Sequence, residues 1–273
     1  MHRLCRYVRF SINPFLPADE AGFNSFASKP AGEGLSVFLE LGVELEGESD
    51  KATGLIVNVS DIDHKVRDCA VGVFAEKIKA DYRSARHTGY DGLTQLLKIV
   101  WEKLTGQFGE AKLSRLILKL SPFKTLAVVD KDCAMVYYSE KFEFAAAHKL
   151  WNDKFSEKQN IEVFGKCANP AGHGHNYIVE VTVKYPACGE LVESTDQSFK
   201  TGDFEKTVSQ ELINAVDHKN LNSDLKEFQK ITPTVENIAV FAWNKLAGRF
   251  GMTTTLHCVT VWETDKTFSS YYG

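Results

Sequence analysis

The chain repeats itself, and a repeat constrains the fold more than any single residue does. "AGEGL" at 31–35 recurs as "AGHGH" at 171–175, an offset of 140 residues. "WEKLTGQFG" at 101–109 recurs as "WNKLAGRFG" at 243–251, and "LSPFKT" at 120–125 aligns with "WETDKT" at 262–267, both at an offset of 142. Blocks in the same order at nearly one offset imply two copies of one unit. The expected division is 1–132 and 133–273, joined near "VVDKDC".

Each copy reads strand, strand, helix, helix, strand, strand. In the second copy "YYSEKFEFAAAH" puts Phe142, Phe144, Ala146 and His148 on one face, by the two-residue period of a strand. "HGHNYIVEVTV" does the same for His173, His175, Tyr177, Val179, Val181 and Val183. "DFEKTVSQELINAV" spaces Phe204, Val208 and Leu212 as an amphipathic helix. "TPTVENIAVFAWNKLAG" predicts a stronger one, with Thr232 as cap, Pro233 in the first turn and Gly248 as stop. "LHCVTVWET" and "TFSSYY" supply the last strands. The first copy follows with strands in "CRYVRFSI", "LSVFLELGVEL", "LSRLILKL" and "KTLAVV" and a helix in "DGLTQLLKIVWEKLTG". The fold class is α+β, two tandem units of antiparallel sheet with helices on one side.

Bulk properties exclude several functions. Charged residues make up 25% and the net charge is −4, with no basic block to attract nucleic acid or a membrane surface. No apolar run reaches the length of a membrane span. The opening "MHRLCRYVRFSINPF" lacks a leader's apolar core. Six scattered cysteines without a CxxC pair suit a reducing compartment, so the expectation is cytoplasmic.

His173 and His175 lie two apart on a strand, so both imidazoles point to one face. His148 ends the preceding strand on its inward face. Three neutral imidazoles with an open fourth position suit a catalytic zinc ion, although imidazole also binds other transition metals. Cys167, in a loop bearing Gly and Pro, is either a fourth ligand or a thiolate beside the metal.

The segments "FEFAAAHKL", "FGKCANPAGHGHNY", "AVDHKNLN", "TPTVENIAVFAWNKL" and "VTVWETDKTFSSYY", taken together, resemble the 6-pyruvoyl-tetrahydropterin synthase family from about residue 137 to the C-terminus. The resemblance implies a T-fold: a four-stranded antiparallel sheet with two helices, whose sheets join into barrels on oligomerisation. It implies conversion of 7,8-dihydroneopterin triphosphate to 6-pyruvoyl-tetrahydropterin with loss of triphosphate. By resemblance His148, His173 and His175 hold Zn2+, Cys167 is the base, and Asp217 with His218 sets its protonation. Glu263 anchors the pterin, and Thr234 and Glu236 line the same pocket, although helix capping explains those two nearly as well. The alternatives are a 6-carboxy-tetrahydropterin synthase, which cleaves the side chain, and a non-catalytic pterin- or metal-binding protein. Five residues separate Cys167 from His173, which resembles the pyruvoyl-forming branch. Family members carry a strand like "TGMVxN" after the HGH strand. The second copy has "GELVESTDQSFKTGDFEK" there, while the first keeps "TGLIVNVSDID" at 53–63.

In the first copy the chemistry is gone. His173 aligns with Glu33, His175 with Leu35, Cys167 with Ala27, His148 with Asn13 or Pro14, Glu263 with Ser121 and Glu236 with Thr94. Asp217 and His218 fall near Ala75 and Glu76. Asp63-His64-Lys65 in "DIDHKV" sits too early and reads as a capping, solvated segment. The first copy is therefore expected to be structural. Single-unit members resemble hexamers, so tandem chains are expected to form a homo-trimer.

Overall fold

A computed structural model describes residues 1–15, 35–187 and 199–273. The chain divides into two compact units, Met1–Tyr138 with Tyr185–Phe199, and Ser139–Lys184 with Lys200–Gly273.

The first unit begins with β1 (His2–Ile12) and β2 (Val37–Gly47), antiparallel from His2↔Gly47 to Ile12↔Val37. Next comes α1 (Val59–Val66), which runs through one π turn at Arg67–Val71 into α2 (Gly72–Arg83). α3 (Tyr90–Leu104) precedes β3 (Lys112–Lys119) and β4 (Lys124–Val129). The strand order is β1-β2-β3-β4. The alternation of the sequence sets the faces: Phe10, Leu41, Leu116 and Leu118 point inward with Phe74, Leu97 and Leu104 of the helices, all fully buried. The opposite face carries ion pairs such as Arg9–Glu40 at 2.8 Å and Lys119–Glu40 at 2.6 Å.

The second unit repeats this plan. β5 (Met135–His148) enters it; then come α4 (Glu157–Phe164) and β6 (His173–Pro186). α5 (Thr201–Val208) runs through a π turn at Ser209–Ile213 into α6 (Asn214–Val216). β7 (Lys219–Asn220) pairs parallel with β5, and α7 (Leu221–Asp224) follows. α8 (Val235–Leu246), β8 (Thr255–Trp262) and β9 (Phe268–Tyr271) complete the order β5-β6-β8-β9. α3 packs on β3 and β4, and α8 packs on β8 and β9.

The correspondence reaches irregular features. The π turns at 67–71 and 209–213 sit 142 residues apart, the offset of the sequence repeat. The β2–β3 ladder slips at Glu44/Leu45 and the β6–β8 ladder at Thr182/Val183, so each copy carries a bulge in the same pair of strands.

Three local expectations are corrected. The cap of α8 is Thr234, whose hydroxyl accepts from the Asn237 N–H at 3.3 Å. Thr232 instead donates to the Trp151 carbonyl, leaving Pro233 outside the helix. "TGLIVN" at 53–58 forms turns and bends, because Asp50 folds the chain back by accepting from the N–H groups of Ala52 and Thr53. In "DIDHKV" the cap of α1 is Asn58, while Asp63 pairs with Arg6 at 2.6 Å. Most of the altered segment 189–203 lies outside the described residues, as do Ala27 and Glu33.

Candidate metal centre

Strand register brings the site together. β5 ends at His148 and β6 begins at His173, so both ends of one strand junction carry imidazoles. Ile178 pairs with Trp262 in the β6–β8 ladder. Glu263 directly follows Trp262, and Tyr177, two residues from His175, directly precedes Ile178. One ligand atom from each of His148, His173, His175 and Glu263 lies within 4.8 Å of all the others. Cys167 is not among the four.

His148 has the tautomer a metal ligand needs, and burial leaves it and His175 uncharged. His148 is fully buried, and its Nδ1 lies 2.8 Å from the Pro233 carbonyl. A carbonyl only accepts, so Nδ1 carries the proton and the Nε2 lone pair is left facing the site. Tyr177 Oη lies 3.4 Å from the same Nδ1. Burial, before any other influence, lowers the pKa of His148 and of His175 below the ordinary histidine value, so both are neutral at pH 7.

The arrangement fits a cation and is awkward without one. His148 Nε2 faces His173 Nε2 at 3.1 Å, so two lone pairs confront each other unless a proton or a metal lies between them. His175 Nε2 is buried without a hydrogen-bond partner, although Glu263 Oε1 is 3.4 Å away. A buried ring nitrogen left unmatched in a polar cluster is a feature that a bound ion explains. Three imidazoles and one carboxylate are a zinc-type donor set.

Gly172 packs against the backbone of His148. Its φ is +69°, and an added Cβ would stand 2.9 Å from the His148 carbonyl oxygen. Glycine is required there by both conformation and space. Gly174 is less constrained, with 3.5 Å to the Ala146 carbonyl oxygen.

Cys167 sits in a 3-10 turn, Gly165–Ala168, that follows α4. Its carbonyl accepts from the Leu150 N–H at 2.9 Å, which ties the turn to the residues just past His148. Burial raises the pKa of its thiol, and the Glu263 carboxylate raises it further. α4 is held by a Ser156/Gln159 capping box. Asn160, fully buried, donates to the carbonyls of Asn152, Phe155 and Ser156 and accepts from the Asn152 N–H. Neither α4 nor Asn160 was expected. The S-x-x-Q pattern at 156–159 is the signal that could have found the helix.

Asp217 and His218 meet each other, with His218 Nδ1 2.9 Å from Asp217 Oδ2. Asp217 accepts from the Ala145 N–H, and this bond, followed by His218, holds its carboxyl below the usual range. His218 adopts φ +55°, a strained conformation for a non-glycine residue, and its N–H donates to the Ala145 carbonyl. The His218 side chain is 83% exposed. Among the described residues no hydrogen bond joins His218 to Cys167. Thr234 acts as the cap of α8, and Glu236 lies exposed in its first turn.

The aligned positions in the first unit have structural partners. Thr94 is buried, 3.4 Å from the Tyr185 hydroxyl, and Ser121 Oγ accepts from the N–H groups of Phe123 and Lys124. Among the described residues the four-residue cluster of the second unit is the one metal-type group.

A family profile described as 6-pyruvoyl tetrahydropterin synthase matches residues 137–273. The 6-pyruvoyl tetrahydrobiopterin synthase of Homo sapiens is 37% identical over 135 residues, 50% of this chain and 90% of that protein. That of Drosophila melanogaster is 33% identical over 139 residues, 51% of this chain and 80% of that protein. The solved structure of Caenorhabditis elegans 6-pyruvoyl tetrahydropterin synthase has 34% identity and a TM-score of 0.45, covering 51% of this chain and 96% of its own.

Proposed function

Because the chain belongs to the 6-pyruvoyl tetrahydropterin synthase family through residues 137–273, we propose that it is a zinc-dependent lyase converting 7,8-dihydroneopterin triphosphate to 6-pyruvoyl-tetrahydropterin with elimination of triphosphate. The observation that carries this reading is the convergence of His148, His173, His175 and Glu263 within 4.8 Å, with the Cys167 turn tied to the same strand end.

His148, His173 and His175 would hold the zinc. A bound zinc ion would supply a Lewis acid that acidifies the C–H and O–H bonds of the substrate's hydroxylated side chain. Cys167 takes the side-chain proton. Its position outside the ligand cluster supports the role of base over that of ligand. Without a cation the group is a protonated thiol, because burial and Glu263 both favour the neutral form. A divalent charge on the imidazoles opposes that carboxylate and favours the thiolate.

Glu263 accepts from the amino and ring N–H groups of the pterin, a two-donor edge that matches a carboxylate. Thr234 and Glu236 border the same pocket. Asp217 orients His218, whose exposure supports service to the Cys167 of a neighbouring chain in a trimer built from tandem T-fold units. The first unit is a structural copy that completes the assembly.

The test is an assay of purified, zinc-loaded protein with 7,8-dihydroneopterin triphosphate. Triphosphate release and the product mass are measured together. Turnover that a chelator abolishes and zinc restores, with the pyruvoyl mass, supports the reading. A carboxy product replaces the assigned reaction with side-chain cleavage, and no metal-dependent turnover refutes the enzyme.

A further inference from the structure

We infer that Asn222 is a positioning residue for the proposed base: by clamping the backbone of Lys149 it fixes where the Cys167 turn stands beside the metal centre. The inference rests on the reading of Cys167 as the base and names the device that places it.

The case begins with a difference between the two copies. In the first unit α2 runs on to Arg83. At the offset of 142 Arg83 corresponds to Leu225, yet in the second unit α6 stops at Val216. His218 turns the chain away at φ +55°, and residues 217–222 then lie along the end of β5 as a splint. Asp217 Oδ1 accepts from the Ala145 N–H at 2.9 Å, and the His218 N–H donates to the Ala145 carbonyl at 2.6 Å. Lys219 and Asn220 pair with Ala146 and Ala147. Asn222 completes the row. Its Oδ1 accepts from the Lys149 N–H at 2.7 Å, and its Nδ2 donates to the Lys149 carbonyl at 2.9 Å. One side-chain amide thus stands in for a residue of a neighbouring strand.

Packing does not require the splint. The first unit has Ala75 at the place of Asp217 and Ala80 at the place of Asn222; it keeps its helix there, and its strands still pair in the order β1-β2-β3-β4. Breaking the helix puts His218, a non-glycine residue, into left-handed backbone, which costs stability. The unit that bears the histidines carries this cost, and the unit that lacks them does not.

What the clamp holds is the crossing from His148 to Cys167. β5 ends at His148, and the Leu150 N–H donates to the Cys167 carbonyl at 2.9 Å. Lys149 is the single residue between those two points. Its carbonyl and the Leu150 N–H belong to one planar peptide unit, whose two polar ends point in opposite directions. Asn222 holds one end of that plane, and the Cys167 turn hangs from the other. The second bond of the clamp holds the Lys149 N–H, which belongs to the plane shared with His148. With both planes fixed, the turn cannot rotate away from the metal centre. His148 is held separately, by the Pro233 carbonyl at 2.8 Å from its Nδ1. Loss of Asn222 therefore releases the Cys167 turn and leaves the metal ligand in place.

The experiment uses the full chain with carbon-13-labelled cysteine, loaded with Co2+ or with Zn2+. Paramagnetic Co2+ shifts nearby nuclei by an amount set by distance and direction. The Cys167 signal, assigned with Cys167→Ala, thus reports where the thiol-bearing carbon stands relative to the metal. The expected result is a cobalt-dependent shift in the wild type and a different, broadened one in Asn222→Ala, with one metal ion still bound per chain. In turnover of 7,8-dihydroneopterin triphosphate by the zinc-loaded protein, kcat should fall by about 10²-fold, the cost of a displacement near 1 Å, with KM little changed. Asn222→Leu keeps the volume and loses both hydrogen bonds, so it should behave as Asn222→Ala does. In the wild type the Lys149 and Leu150 amides should resist hydrogen exchange although both lie past the end of β5, a reading that needs no variant to fold; rapid exchange at both overturns the clamp. An unchanged cobalt-dependent shift and unchanged kcat in the two Asn222 variants overturn the inference and leave Cys167 as the base. A Cys167 signal that cobalt does not move in the wild type overturns instead the placement of Cys167 beside the metal, on which the inference rests.

Discussion

Gly172 is the position where a single methyl group should damage the metal centre without touching a ligand side chain. Alanine there meets two costs. The backbone stands at φ +69°, and a left-handed conformation costs a non-glycine residue about 1–2 kcal/mol. The new Cβ would also stand 2.9 Å from the backbone oxygen of His148. Backbone on a paired strand cannot swing aside as a side chain can, and overpacking of this kind costs about 1–3 kcal/mol. Gly172→Ala should therefore lose about 2–5 kcal/mol in all. Gly248→Ala isolates the first cost, since Gly248 has φ +74° and nothing within 4 Å of an added Cβ. Both residues lie in the second unit with Trp151, Trp243 and Trp262, so tryptophan fluorescence during urea unfolding of the metal-free protein reports on the right unit. The expected gap between the variants is about 1–3 kcal/mol. Zinc affinity should fall in Gly172→Ala and hold in Gly248→Ala, because only the first displaces the His148 backbone. Equal destabilisation by both variants, or unchanged zinc affinity in Gly172→Ala, would refute the claim that this glycine sets the position of His148.

Three further outcomes are expected. Cys167→Ala should keep its zinc and lose about 10²–10⁴-fold in kcat, the usual contribution of a positioned base; metal analysis that shows zinc lost would make Cys167 a ligand. The metal-free protein should lose thermal stability as pH falls below about 6.5, the unfolded histidine value. Burial lowers the folded pKa of His148 and His175, so the unfolded chain takes up protons that the fold excludes, and the loss is complete once pH passes below the folded values. A melting temperature that stays level or rises between pH 7.5 and 5.5 would contradict this. Zinc titration should saturate at one ion per chain, and a second tight equivalent would show that the first unit kept a metal site.

Legibility in the sequence followed the length of the pattern. Strands β1, β2, β5 and β6 announce themselves because two-residue alternation persists over eleven to fourteen residues. α4 does not, because its one fully buried residue is the polar Asn160; it is held by hydrogen bonds to its own loop and needs no apolar stripe. The three histidines were legible from strand parity and order. The Pro233 carbonyl that sets the His148 tautomer was not, since a backbone acceptor leaves no trace in residue type. The place of Glu263 beside the imidazoles depends on the β6–β8 register, which periodicity does not fix. The π turns were equally hidden, but their recurrence at the repeat offset shows that both copies preserve a feature no sequence pattern advertised.

The two copies also separate what the sheet requires from what the chemistry requires. Leu39, Leu41, Val43 and Leu45 of β2 correspond at the offset of 140 to Val179, Val181, Val183 and Tyr185 of β6, and all eight are buried. This stretch of strand is needed for packing in both units, and it is apolar in both. Two residues further toward the strand start, the copies part: Val37 is partly exposed, whereas Tyr177 is fully buried under the imidazole cluster. At the next step Leu35 is 95% exposed where the second unit has His175. An apolar side chain left in water has no packing role to preserve it, and it offers no lone pair to a metal. The end of the strand is therefore dispensable for the fold and is held in place in the second unit by the histidine cluster. The first unit can therefore lack the histidines while its sheet, bulge and π turn match those of the second.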